Sequence, residues 1–287
     1  MEWFFYSLLC AFFLATSDTF SKRALQDINE YLVAWGRLLA AIPVLISILI
    51  IFQPSLHIDK TFLFIVASII PLEISALVLY MKAIKISPLS LTVPFLALTP
   101  VFLIGTSYIM LKELPDFSGA IGILFVAIGA YTLNIDNLKE GILAPFRNLK
   151  KEKGSILMIV VAFIYSITSN LGKIAIRHSN PIFFSAIYVT VVTISFIPLI
   201  SLRTTPFEIK NALRNKNLFY LGVFYALMIT FHNLAIIRTE VSYMISVKRT
   251  SLIFSIIYGR FIFHETHFKE RLVGGIFMVI GVMLIII

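Results

Sequence analysis

Residues 111–133 read LKELPDFSGAIGILFVAIGAYTL, and residues 263–285 read FHETHFKERLVGGIFMVIGVMLI. A displacement of 152 positions lays the first stretch over the second without a gap. In each stretch a glutamate is separated by eight residues from a glycine, which is separated by six residues from a second glycine. The matched residues are Glu113 with Glu265, Gly122 with Gly274, and Gly129 with Gly281. Both halves of the chain therefore end on the same pattern, which indicates an internal repeat.

The repeat extends to the beginnings of the two halves. A displacement of 151 positions brings Lys22 onto Lys173, together with apolar neighbours. We therefore predict two related units, residues 1–134 and residues 154–287, joined by a charged linker at residues 135–153. The glycines of the pattern lie seven positions apart, on one helix face, where they let a second helix approach closely. The fifth and tenth helices are thus expected to be packed scaffold.

The glutamates of the pattern fall where a helix is expected to end at the membrane interface. We interpret Glu113 and Glu265 as solvated or helix-capping carboxylates rather than as catalytic groups. His264 and His267 flank Glu265, but the second histidine comes one residue early for the HExxH zinc motif. We therefore predict no metal site and no cofactor.

The composition is that of an integral membrane protein. Hydrophobic residues make up 59% of the chain and charged residues only 14%, whereas soluble proteins carry about 25% charged residues. The formal net charge of +9 could suggest nucleic acid, but membrane proteins collect Lys and Arg in their cytoplasmic loops. We expect no nucleic-acid partner. The single cysteine, Cys10, excludes an internal disulfide.

Ten stretches are long and apolar enough to cross a bilayer, which takes about 20 residues. They are residues 3–21, 31–52, 61–81, 88–111, 117–134, 154–176, 181–202, 218–237, 241–263 and 268–287. The predicted fold class is therefore an all-α membrane protein with ten transmembrane helices. The two longer charged connections, residues 135–153 and 203–217, are expected to form short surface helices.

Each half contains five of these spans, and five is an odd number. Two halves with the same internal fold then enter the membrane in opposite senses, as an inverted repeat. Many secondary transporters have this architecture and bind their substrate near the bilayer midplane, between the halves. With ten spans, both termini lie on the same side of the membrane.

The chain resembles EamA-type transporters of the drug/metabolite transporter superfamily. The residues that carry the resemblance are Arg37 in YLVAWGRLLAA, the stretch AIKISPLSLTVPFLALTPVFLIG at residues 83–105, and the glutamate–glycine pattern of each half. The resemblance implies a basket of ten helices, with helices one to four and six to nine around a central cavity. It also implies transport, often export, of small metabolites such as amino acids. Pro100 meets Leu252 in the repeat, which argues against symmetric bending of helices four and nine.

The resemblance implies that both termini lie inside the cell. The loops point the other way, because Lys and Arg concentrate in the connections after odd-numbered spans, and the positive-inside rule then places both termini outside. The side remains open, and only a shared side is predicted.

Ionisable residues within spans are candidates for function, because each costs about 2.5–3.5 kcal/mol or more unless it reaches water or a partner. They are Asp18, Arg37, Glu73, Lys173, Lys248, Arg249 and Arg260. Five cations thus face two anions, so the interior is electropositive unless the excess snorkels to lipid headgroups. Asp18 can pair with Lys22, four positions further along the same helix face. Glu73 can bind a proton for coupling or be the buried partner of an arginine such as Arg37.

Lys248 and Arg249 are adjacent in the ninth span. Adjacent residues on a helix point about 100° apart, so the two cannot both follow the same route to the headgroups. At least one is expected to face the interior or a water-filled cleft. An arginine there could hold a carboxylate or a phosphate with two parallel hydrogen bonds.

The predicted site collects these charges and the polar residues of the spans. The candidate substrate-binding residues are Arg37, Glu73, Asn170, His232, Asn233, Lys248 and Arg249, and the coupling candidates are Asp18 and Glu73. Thr16, Ser17 and Tyr165 are further polar residues in spans. We predict no catalytic residues and interpret the protein as a transporter rather than an enzyme.

The sequence thus favours a multi-pass secondary transporter in the cell membrane that exports a small polar metabolite, an amino acid or an organic anion, by alternating access. A flippase for a lipid-linked sugar and a membrane protein that transports nothing are the alternatives. The expected partners are a small-molecule substrate and the lipid bilayer, and the expected oligomeric state is a monomer.

Overall fold

The computed structural model describes residues 1–54, 58–87, 92–132, 153–262 and 268–286, and every regular element in these ranges is a helix. The elements of the first half are α1 (Glu2–Ala24), α2 (Glu30–Phe52), α3 (Lys60–Ile86), a 3-10 helix (Val93–Ala97), α4 (Leu98–Leu111) and α5 (Phe117–Thr132). Those of the second half are α6 (Lys153–Arg177), α7 (Pro181–Arg203), α8 (Pro206–Leu213), α9 (Lys216–Ile236), α10 (Val241–Lys248), α11 (Ser251–Ile262) and α12 (Phe268–Ile286).

Polar side chains fix where several helices begin. Asn29, Asp59 and Asn180 precede α2, α3 and α7, and the side chain of each accepts a hydrogen bond from a backbone N–H of the first turn. Such a cap typically contributes about 1 kcal/mol. Thr205 and Glu208 form a reciprocal capping box at the start of α8. The predicted surface helix in residues 203–217 is thereby confirmed, whereas the predicted linker lies outside the described residues except for Lys153, which begins α6.

Six helices are long and apolar enough to cross a bilayer, namely α1, α2, α3, α6, α7 and α9. The protein is therefore a multi-pass membrane protein. The prediction of ten continuous spans is not reproduced. The predicted spans at 88–111 and 241–263 are each interrupted. Of the predicted span at 117–134, the described residues form α5 up to Thr132.

The two interruptions fall at equivalent places in the repeat. The 3-10 helix ends at Ala97 and α10 is followed by Arg249, 152 positions further on. The two breaks agree in position but differ in kind, because the 3-10 helix runs directly into α4 whereas Arg249 and Thr250 separate α10 from α11. The mismatch of Pro100 and Leu252 thus still weakens an expectation of symmetric bending. A threonine hydroxyl bonds to a backbone carbonyl at each break: Thr99 to that of Leu96 at 2.7 Å and Thr250 to that of Val247 at 2.8 Å. Such bonds compete with the regular helical pattern.

The halves of the molecule are interlaced. Helix α1 packs on α9, and α3 packs on α6, so the first helix of each half contacts the third span of the other. Helix α2 lies against α7, and α4 against α6, while α10 and α11 lie against α1. Helices α5 and α12, which carry the repeated glycines, pack against each other, and this confirms the predicted scaffold.

Candidate functional site

A central cavity of about 90 Å³ lies between the two halves, with room for a few water molecules. Its walls come from α1, α2, α3 and the 3-10 helix of the first half and from α6, α7, α9 and α10, with Arg249 after α10, of the second. Charged and amide side chains in the wall are Arg37, Glu73, His232, Asn233, Lys248 and Arg249. The wall also holds four tyrosines, Tyr80, Tyr165, Tyr188 and Tyr225.

Six of the seven candidate binding residues therefore lie in the cavity wall, and Asn170 does not. Its side chain accepts a hydrogen bond from Ser107 at 2.8 Å and donates one to Thr106 at 3.1 Å. Both partners are on α4, so Asn170 joins two helices outside the cavity. Asp18 is also absent from the wall and lies behind Arg37. The binding and coupling roles stay predictions.

Arg37 and Asp18 form a buried ion pair. Arg37 Nη2 lies 3.4 Å from Asp18 Oδ1, and each side chain is only 2% exposed. The hydroxyl of Tyr80 donates to Asp18 Oδ2 at 2.5 Å, and the Arg37 guanidinium stacks 4.3 Å above the ring of Tyr225. A buried ion needs a partner and hydrogen bonds that satisfy its remaining positions. These contacts give each ion its partner, but Arg37 Nε is buried and has no hydrogen-bond partner.

The predicted pairing of Asp18 with Lys22 was wrong. Lys22 Nζ instead donates to the backbone carbonyls of Ile84 at 2.5 Å and Ser87 at 3.2 Å. Asp18 faces the interior of the molecule, where a guanidinium is available, whereas Lys22 lies near the end of α1 and reaches the end of α3.

Lys248 and Arg249 both line the cavity, and they point to different partners. Lys248 Nζ lies 3.1 Å from His232 Nδ1. Lysine has no acceptor, so this ring nitrogen of His232 must accept the hydrogen bond. Arg249 Nη2 donates to the hydroxyl of Thr99 at 2.9 Å, which links the break after α10 to the break before α4. Arg249 Nε is buried and has no hydrogen-bond partner.

Glu73 is the lining carboxylate on α3. The hydroxyl of Tyr188 lies against it, and Lys248 and Arg37 are close enough to stabilise its negative charge. The predicted arginine partner is thus a distant one, because Arg37 is paired directly with Asp18. In their ordinary ionised forms, the three cations Arg37, Lys248 and Arg249 outnumber the two anions Asp18 and Glu73 by one. An anionic ligand would balance that excess.

Sequence reasoning missed three of the four lining tyrosines, Tyr80, Tyr188 and Tyr225. Tyrosine is usually an interfacial residue in membrane proteins, so it did not stand out in the spans. The repeat carried a signal, since a displacement of 152 sets Glu73 against Tyr225 and one of 151 sets Arg37 against Tyr188. The second half thus places tyrosines where the first half places charges.

Glu113 was predicted to be a solvated or capping carboxylate, and its side chain is 16% exposed. It accepts hydrogen bonds from Lys173, from Arg177 and from the backbone N–H of Val241. The last contact is a cap at the start of α10, so that part of the interpretation is confirmed. Glu265 with its two histidines lies outside the described residues.

A second, apolar cavity of about 410 Å³ opens between α1, α11 and α12. Phe4, Leu8, Phe254 and Val282 are among its lining residues. Thr250 is the one hydroxyl-bearing residue in this wall, and its hydroxyl is already bonded to Val247. The cavity is therefore suited to hydrocarbon.

Both halves of the chain match the same protein family. The EamA-like transporter family matches residues 1–135 and residues 152–287. A solved structure titled "Crystal structure of protein" is similar over 98% of this chain and 98% of its own, with a TM-score of 0.68 and 14% sequence identity. At that identity the likeness shows the fold alone. Among curated proteins, none matches the chain.

Proposed function

Because the chain belongs to the EamA-like transporter family, we propose that it is a secondary transporter that exports a small polar metabolite across the cell membrane by alternating access. The proposed substrate class is an amino acid or an organic anion. The proposed architecture has ten spans in two inverted repeats, residues 1–134 and 154–287. The four spans beyond the six long helices would be the 3-10 helix with α4, then α5, α10 with α11, and α12.

The observation that carries the proposal is the electropositive cavity between the halves. Three cations and one carboxylate, Glu73, line it, the second carboxylate, Asp18, lies behind Arg37, and Arg37 Nε and Arg249 Nε are buried donors with no partner. An unsatisfied buried donor costs about 1–3 kcal/mol, which a carboxylate or phosphate oxygen on the substrate would recover. Tyrosine hydroxyls and Asn233 in the same wall offer hydrogen bonds to its neutral groups.

The small volume of the cavity supports alternating access. About 90 Å³ holds a few waters, which is less than a metabolite needs. Entry of a substrate therefore requires the halves to move apart on one side. The matched breaks at Ala97 and Arg249 support this proposal, since interrupted helices bend more easily than continuous ones.

An uptake screen tests the function. The purified protein is reconstituted into sealed proteoliposomes, and uptake of labelled amino acids, organic anions and nucleotide sugars is measured against empty liposomes. Saturable accumulation of one class, abolished by unlabelled competitor, is the expected result. No accumulation of any of the three classes, with the protein shown to be inserted and folded, would count against the proposal.

The apolar cavity between α1, α11 and α12 favours a second candidate, a flippase for a lipid-linked sugar. Its wall includes Thr250, next to Arg249 of the central cavity, so an acyl chain and an anionic headgroup could be held side by side. A lipid substrate would be detected as a change in headgroup accessibility across the bilayer, without uptake into the lumen.

A further inference from the structure

In the part of the chain that the structure describes, the ion pairs between the two halves lie at one face of the protein. Glu2, at the start of α1, pairs with Arg238, which precedes Thr239 and the start of α10. Glu113 lies at the end of α4 and contacts the same segment. We name this side the N-terminal face. Among the described residues, all three Lys or Arg ion pairs that join the two halves lie on it: Lys173–Glu113, Arg177–Glu113 and Arg238–Glu2. His178 and Asp59, which also join the halves there, are within hydrogen-bond distance at 2.7 Å.

The opposite face has a different set of contacts in the described part of the chain. Its one ion pair there, between Lys85 and Glu30 at 2.5 Å, lies within the first half. Arg203 lies 5.7 Å above the ring of Tyr31, which is a cation–π contact between halves. Across the described ranges, the ion pairs between the halves therefore lie at the N-terminal face.

We propose, building on the transport function proposed above, that Glu113 is the latch that keeps the cavity closed at the N-terminal face. Its Oε1 accepts hydrogen bonds from Lys173 at 2.7 Å and Arg177 at 2.8 Å, and its Oε2 accepts one from the N–H of Val241 at 3.3 Å. Glu113 belongs to the first half, and all three donors belong to the second. The halves cannot separate at this face without breaking these three contacts.

The latch stands directly at the end of the cavity. Gly172 lines the cavity, and the next residue, Lys173, is the buried partner of Glu113, with 4% of its side chain exposed. Lys173 also donates to the backbone carbonyl of Thr239 at 2.7 Å. One lysine thus joins the end of α6, the α4–α5 connection and the α9–α10 connection.

The structure also provides a partner for Lys173 after opening. Glu240, from the same half, is close enough to interact electrostatically with Lys173. Its Oε2 is buried and has no hydrogen-bond partner. If the halves separate and Glu113 moves away with the first half, Lys173 can pair with Glu240. Opening then does not leave a buried cation without a partner. This exchange makes the latch reversible.

The repeat contains a related contact in the other half. Lys22 is the match of Lys173, and Ser87 is the match of Thr239. Lys22 donates to the carbonyl of Ser87, as Lys173 does to that of Thr239. Both halves thus use a lysine to hold the end of their third span, and Glu113 adds the tie between the halves at the N-terminal face.

Thiol accessibility tests the latch without a known substrate. Cys10 is the single cysteine, so Cys10→Ala gives a cysteine-free background. A cysteine is introduced at Ser169, which lines the cavity one helical turn before Lys173. The protein is placed in sealed vesicles in both orientations, and the accessibility of a tag at Met1 shows whether the N-terminal face lies outside or inside. The vesicles are then treated with a maleimide that does not cross the membrane. Glu113→Gln should raise the labelling rate from the N-terminal face about tenfold or more, as expected from the loss of charge-assisted contacts.

Glu30→Gln is the matched control, because it removes a carboxylate from a short ion pair, 2.5 Å long, that lies at the opposite face within one half. It should leave labelling from the N-terminal face unchanged. An unchanged rate in folded Glu113→Gln, or an equal rise in Glu30→Gln, overturns the latch. If Glu113→Gln is not recovered folded, Arg177→Gln removes one half-exposed contact and should still raise the rate, and no rise there also overturns it. Labelling can be measured without transport. If Glu113→Gln raises the labelling rate but the uptake screen is negative, the latch is supported and only the transport function is rejected.

Discussion

Gly122 of α5 and Gly281 of α12 face each other at the closest helix contact of the scaffold. A Cβ built on Gly122 would lie 2.6 Å from the carbonyl oxygen of Gly281, and one built on Gly281 would lie 2.5 Å from that of Gly122. Gly129 faces the carbonyl of Gly274 in the same way, at 2.6 Å. Because Gly122 matches Gly274 and Gly129 matches Gly281 in the repeat, the two contacts are exchanged by a two-fold operation. The repeated glycines therefore form two equivalent contacts between α5 and α12.

Gly122→Ala is expected to destabilise the protein. The new methyl group would overlap the Gly281 carbonyl, which is backbone and cannot turn aside, so α5 and α12 must separate. Overpacking of this kind costs about 1–3 kcal/mol. Gly105→Ala is the matched control, since a Cβ there meets nothing within 4 Å. Thermal unfolding in detergent should show a lower midpoint for Gly122→Ala alone, and equal midpoints for the two variants would refute the close contact.

The scaffold could be predicted from sequence because its signal is local and repeated. Glycines seven positions apart in two matching stretches indicate a helix contact without any knowledge of the partner helix. The breaks at Ala97 and Arg249 were harder to predict. A threonine hydroxyl bonds to a backbone carbonyl at each break, but Thr19 and Thr193 make similar bonds within continuous helices.

Most of the charged cavity residues were also predictable, because a charge within a span needs an explanation. Their pairing was not. Asp18 was assigned to Lys22 by helix spacing, but Arg37, on the next helix, takes that place. The angles and positions at which the helices cross determine which of several cations reaches a carboxylate. The spacing of residues along a single helix does not predict these crossings.

Asp116 provides a prediction about pH. Hydrogen bonds from the Gly119 N–H and the Tyr243 hydroxyl hold the pKa of this exposed carboxyl below its ordinary value. A carboxyl whose pKa is lower in the folded state stabilises the fold above its unfolded pKa of about 3.9, and the contribution is lost as the pH falls through the folded pKa. The thermal midpoint of the wild type should therefore exceed that of Asp116→Ala at pH 6–7, with the gap narrowing at acid pH. A gap that is constant from pH 7 to pH 3 would contradict this.

We expect the charge of Asp18 to stabilise the folded protein, whatever its role in coupling. Removal of one partner from a buried ion pair leaves an uncompensated charge and typically costs about 3–5 kcal/mol. Asp18→Asn should thus lower the yield of folded protein strongly by leaving Arg37 unpaired. Tyr80→Phe removes only the hydrogen bond to Asp18 and should cost about 1 kcal/mol. Size-exclusion chromatography and thermal unfolding in detergent measure the stability of both variants. An Asp18→Asn protein as stable as the wild type would show that the fold does not need the Asp18 charge, and coupling would then be its remaining predicted role.

Arg249 is expected to hold the anionic group of the substrate, with Lys248 or Arg37 beside it. The loss of one charge-assisted hydrogen bond costs about 1.5–3 kcal/mol, roughly ten- to a hundred-fold in affinity. Arg249→Gln should therefore weaken binding of the transported compound by that factor while insertion and folding persist. Arg249→Lys should rescue only in part, because lysine cannot make the two-pronged contact of a guanidinium. Arg214→Gln, at an exposed arginine outside the cavity wall, is the control and should bind normally. Concentration-dependent uptake into proteoliposomes measures all three, and an Arg249→Gln protein that transports like wild type at every concentration would remove Arg249 from the binding site.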